Sequence, residues 1–150
     1  MIYIIISIML DGLLSKIIPV NILSPTLTVI TLLLMYPKCK NNFFKYIFIT
    51  GIIYDLLYSD ILFLNLLIFI LLYYIIEYLY IDILDNTLSL IYRVSIITLL
   101  YRLLSYILAI FLGSSFNLLD LYMSIINSAF INIIYGYIWY NLIKKNYLKV

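Results

Sequence analysis

An all-α, polytopic membrane bundle of about six transmembrane helices is the fold class that this sequence predicts. Three observations lead there. Of 150 residues, 67% are hydrophobic and only 11% are charged, against about 25% charged in soluble domains. The mean hydropathy is +1.18, which is more apolar surface than a soluble chain of this length can hide, so the expected solvent is hydrocarbon. The apolar residues also fall into six runs, parted by brief polar, Pro- or Gly-containing segments. By length, residues 1–150 form a single transmembrane domain.

The first span is read from Ile2 to Ile18, with Lys16 and Pro19 at its exit. It has no basic n-region or small-residue cleavage site, and Asp11 interrupts it, so it is expected to be retained rather than removed as a signal. Ser7, Asp11 and Ser15 recur every four residues and share a face predicted to point into the bundle. The second span, Asn21 to Tyr36, is short and rich in Thr, opens at Ser24-Pro25 and is expected to stop before Pro37. A short or broken helix would fit it.

Pro37 to Asn42 reads as a polar turn carrying Lys38 and Lys40. Phe43 to Tyr58 is the third span, ending in Gly51-Ile52-Ile53-Tyr54-Asp55, with Ser59-Asp60 as a tight connection. Ile61 to Tyr80 is the fourth, and Asp82, Asp85 and Asn86 form the next loop. The fifth, Leu88 to Leu112, is long enough to cross with tilt and sets Thr98, Arg102, Ser105 and Ala109 on one arc before Gly113-Ser114-Ser115. The sixth, Leu118 to Ile143, carries Asp120, Ser124, Asn127 and Ile131 along one face and leads to Lys144, Lys145 and Lys149. No internal repeat is visible in the sequence.

Six spans put both termini on one side. If that side is the cytoplasm, Lys38, Lys40, Lys45, Arg93, Lys144, Lys145 and Lys149 lie inside and Lys16 lies outside, as the positive-inside rule requires.

The chemistry available is narrow. There is no His, Cys39 is the lone cysteine, and no Gly-rich phosphate loop or nucleophile elbow occurs. No catalytic residue, cofactor or metal ligand is assigned, and the chain is read as not an enzyme. A net charge of +2 gives no reason to invoke nucleic acid.

The ionisable residues inside the spans are the functional candidates. Gly51 lies one turn before Asp55 on the same face, where a bare backbone allows close helix approach. The pair is read either as packing and helix-end residues or as a specific structural or partner-binding element. At 1.5 Å per residue, Arg102 lies about 21 Å along the fifth span, Asp55 about 18 Å along the third and Asp11 about 14 Å along the first. Asn127 lies about 14 Å from the outer end of the sixth. A shared layer predicts that Arg102 faces inward and bonds Asp55 or Asp11, with Asn127 nearby. The alternative is that Arg102 snorkels to the outer interface.

Ser24-Pro25-Thr26-Leu27, the basic loop, Gly51-Ile52-Ile53-Tyr54-Asp55-Leu56-Leu57, the apolar fourth span, a charge within the fifth, and Asn127 before Lys144-Lys145 together resemble the rod shape-determining protein MreD family. The resemblance covers Ser24 to Lys145. Two positions where members often carry glycine hold Ile47 and Phe63 here. The resemblance implies a bundle similar to substrate-binding subunits of energy-coupling-factor transporters. It implies a non-enzymatic scaffold of the cell-elongation machinery in the bacterial inner membrane. The implied partners are MreC, with MreB, RodA and a class B penicillin-binding protein. The competing class is a substrate-binding subunit of a vitamin or metal transporter, which needs a polar outward cavity that Asp11, Asp55, Arg102 and Asn127 could line.

Overall fold

In the computed structural model, the described residues are 2–17, 26–59, 63–80, 86–113 and 118–147. They form six α-helices and one 3-10 turn, with no strand among them. The helices are α1 (Ile2–Ile17), α2 (Leu27–Cys39), α3 (Phe43–Tyr58), α4 (Leu64–Leu79), α5 (Thr87–Phe111) and α6 (Leu118–Tyr147), and the 3-10 turn Lys40–Asn42 joins α2 to α3. Asn21 to Pro25, Asp60, Asp82 and Asp85 lie outside the described residues.

The core is built around α2. It touches each of the other five α-helices, and its residues Leu27 to Tyr36 are buried without interruption. A helix apolar on all sides can be satisfied only at the centre of a bundle. Around it the neighbours run α1, α3, α4, α5, α6 in order of packing. The ring closes where Tyr3 of α1 meets Trp139 of α6 edge to face, with centroids 5.4 Å apart. Ile30, Leu33, Ile68, Val94 and Ile97, at 0% exposure, pack in the core around α2.

Pro37 does not end α2; it lies inside the helix, which continues to Cys39. Proline lacks the N–H that would bond to the carbonyl of Leu33, four residues earlier. The Tyr80 hydroxyl takes over that carbonyl at 3.0 Å. The backbone is therefore satisfied from α4's end, and the helix has no reason to break. The guanidinium carbon of Arg93 sits 4.0 Å over the Tyr80 ring, and Tyr36 lies 5.0 Å from it.

Two helices, Thr87–Phe111 and the Leu121–Leu142 stretch of α6, are long and apolar enough to cross a membrane. α2, α3 and α4 have 13, 16 and 16 residues, shorter than the ~20 that a perpendicular crossing takes.

The outside is apolar as well as the core, and some polar side chains are buried between the helices. Ile5, Met9, Leu13, Phe44, Leu56, Leu67, Phe111, Leu119, Phe130 and Ile138 are among the large apolar side chains exposed on the outside. Asp11, Thr28, Thr31, Asp55, Asn65, Arg93 and Asn132 are among the buried polar ones.

Candidate functional site, a buried polar layer

Among the described residues two carboxylates are buried, and they share one task. Asp11, 4% exposed, accepts the backbone N–H groups of Leu27 and Thr28 at 2.9 Å each and the Thr28 hydroxyl at 2.6 Å. Leu27 and Thr28 are the first two residues of α2. Asp55, 2% exposed, accepts the backbone N–H groups of Asn65 at 2.8 Å and Leu66 at 2.9 Å and the Asn65 amide at 3.1 Å. These residues open α4. The orphan N–H groups at a helix start normally find a side chain of their own N-cap. Neither Thr26 nor Phe63 supplies one. Each carboxylate reaches in from the preceding helix instead, and the partial positive charge of the helix start offsets its own.

Gly51 makes the second junction possible. A Cβ built there would come within 2.9 Å of the Leu66 Cα, backbone that cannot rotate away. Gly51 thus lets the start of α4 lie against α3, and Asp55, one turn on, caps it. The close-approach reading and the structural reading of this pair describe one device.

A third junction comes from α6. Asn132, fully buried, accepts the Thr26 N–H at 3.1 Å and donates to the hydroxyls of Thr26 at 2.7 Å and Thr98 at 3.1 Å. It ties the start of α2 to α5 and α6. On the other side, Tyr101 of α5 donates to the Asn65 side-chain oxygen at 3.2 Å. Thr31 and Tyr135 share a hydroxyl–hydroxyl bond of 2.9 Å.

The expected ion pair is not formed. Among the described residues, Arg102 makes no salt bridge with Asp11 or Asp55, whose oxygens are held by helix starts. Its Nε donates to Ser128 at 3.4 Å, and its Nη2 is buried without a hydrogen-bond partner. Arg102 reaches Asp11 only through space. The inward orientation is as expected and snorkelling is not seen; the direct bond is corrected. The reason is geometric: a helix start presents two N–H groups in fixed directions, whereas Arg would have to fold a long stem to match them.

On α6 the buried face is carried by other residues than the polar ones singled out from the sequence. Ser128, Asn132 and Gly136 are buried, whereas Asn127 and Ile131 are half-buried. Asn132 is the residue that sequence reasoning missed. Its spacing with Ser128 and Gly136 was a usable signal, four residues apart on one face. On α1, Ser7 and Asp11 point inward as expected, but Ser15 is exposed.

Among the described residues no group of three or more metal-ligating side chains comes together. Comparison with family models, curated proteins and solved structures gives no match.

Proposed function

We propose that the chain is a multi-pass protein of the bacterial inner membrane, with both termini cytoplasmic, and a non-enzymatic scaffold of the cell-elongation machinery. It would dock the membrane helix of an MreC-like partner, with MreB, RodA and a class B penicillin-binding protein in the same assembly. The observation that carries the membrane reading is the apolar outer surface, where large hydrophobic side chains are exposed on the helices around α2. In hydrocarbon every buried polar group needs an internal partner, and Asp11, Asp55 and Asn132 have theirs.

The elongation reading rests on the resemblance to the MreD family, whose most specific part is Gly51–Asp55. The role of that pair in seating α4 on α3 gives the motif a physical purpose in a scaffold. Docking is favoured over transport because a transported ligand needs a cavity with convergent polar groups. The carboxylates that could have lined one are spent on helix starts.

Docking would use the outer helix faces, which expose apolar and aromatic side chains such as Phe130 and Tyr137. The test is co-purification of the full-length chain with MreC from the same cells. Full-length MreC is expected to co-purify, and MreC without its membrane helix is expected to be lost. Equal binding of the anchor-free form would reject the docking mode.

A further inference from the structure

The seam between α1 and α6 is closed at one end and loose at the other. Tyr3 of α1 meets Trp139 of α6 edge to face near the start of α1. The two backbones stay apart: among the described residues no Cα of α1 comes within 8 Å of one in α6. Further along, Leu10 and Leu14, on the Tyr3 side of α1, are half-buried, as are Ser124 and Ile131, on the Tyr135 side of α6. On α5 after Tyr101 and on α6 before Ser128, no described residue is buried as a whole.

Arg102 lies at this seam. Its Nε reaches Ser128 of α6 at 3.4 Å, and its charge acts on Asp11 of α1, so the guanidinium sits between the two helices. Its Nη2 is buried without a hydrogen-bond partner. Asp11 and Asp55, the carboxylates buried among the described residues, are held by helix starts. Arginine does not give up its proton in proteins, and an unmet cation at bilayer depth is costly. The group that answers a guanidinium edge is a carboxylate, which accepts two N–H groups in one plane. We propose that the α1–α6 seam receives a membrane helix of the docked partner, and that this helix carries an Asp or Glu side chain at the depth of Arg102 and pairs with it. The proposal rests on the docking reading above and names the chemistry that the partner must bring. Arg102 as a whole is half-buried, so a rotamer change of its long stem brings Nη2 to the mouth of the seam. Ser124 and Ser128 are small enough for a second helix to come close. A soluble carboxylate would meet Arg102 but leave Leu10, Leu14 and Ile131 uncovered, so the helix is the occupant that accounts for both features.

The experiment measures binding of synthetic membrane helices to the purified full-length protein in nanodiscs. The helices are leucine–alanine peptides of about 20 residues, with either Asp or Leu at the centre. The wild type is expected to bind the Asp peptide about tenfold tighter than the Leu peptide. Arg102→Gln should lose that preference and keep the weaker binding of the Leu peptide. Ser124→Trp, which fills the seam and leaves Arg102 in place, should weaken both peptides about tenfold, and it carries the test if Arg102→Gln unfolds. Tyr74→Trp, on the exposed face of α4, should change neither. Equal binding of the two peptides by the wild type would overturn the proposal, as would a preference kept in Arg102→Gln or binding unaffected by Ser124→Trp. Loss of the Asp preference to benzoate at millimolar concentration would also overturn it, because the site would then take a free carboxylate. Failure of the docking reading has a separate signature: full-length MreC would not co-purify, whatever the peptides do.

Discussion

Tyr80 shows how one residue can stand in for a missing backbone donor. Its hydroxyl holds the Leu33 carbonyl that Pro37 cannot reach. Tyr80→Phe should cost about 1–3 kcal/mol, the penalty of an unmet buried carbonyl. In a Pro37→Ala background the helix supplies its own N–H, so the same change should cost about 0.5 kcal/mol or less. Unfolding midpoints of the four proteins in detergent read the difference, and equal costs in both backgrounds would reject the substitution argument. Phe63 is a second local case. It caps α4 at φ +71° and is 65% exposed. A side chain pays about 1–2 kcal/mol in this left-handed region, and glycine does not. Phe63→Gly should therefore stabilise by about 0.5–1 kcal/mol, seen as a raised unfolding midpoint.

At the scale of elements, the first four helices form two pairs built on one plan. A carboxylate on the leading helix caps the start of the following one, Asp11 for α2 and Asp55 for α4. The sequence hides this repetition because the separations differ: 16 residues from Asp11 to Leu27 and 10 from Asp55 to Asn65. Asp55→Ala leaves two backbone N–H groups and an amide unmet and should cost about 2–4 kcal/mol. Removing Arg102 as well should not recover that loss, since the two side chains do not pair. A recovery in the double variant larger than the effect of the Arg102 change alone would reinstate the ion pair and sink this account. Gly51→Ala should cost about 1–3 kcal/mol by pushing α4 off α3, because its new Cβ meets backbone rather than a movable side chain.

For the whole molecule, the central position of a 13-residue helix is the organising fact. Because α2 is surrounded, its polar start at Thr26 to Thr28 needs partners from other helices, and α1 and α6 provide them. The basic residues of the Lys38–Lys45 segment and the α6 end set the expected orientation. A reporter active only in the cytoplasm, fused after Val150, should be active, and one active only outside should be silent. The reverse result would invert the proposed topology.

The sequence by itself determined the helical class, the order of the helices and most of their bounds. Phe43–Tyr58 is found as read, and α5 runs Thr87–Phe111 against Leu88 to Leu112. These follow from local rules: apolar runs make helices, and Gly and polar clusters end them. The sequence also singled out Asp11, Gly51, Asp55 and Arg102, because charges and a bare backbone stand out in an apolar chain. Only the tertiary structure decided what each does. Charge alone suggests that a buried carboxylate seeks a cation. Packing α1 against α2 and α3 against α4 instead brings unmet helix-start N–H groups to the same place, and they satisfy it first. The same holds for Pro37, which local chemistry reads as a stop and Tyr80 turns into a continuation. It holds for Asn132, whose partners lie 106 and 34 residues away, beyond the reach of any local pattern.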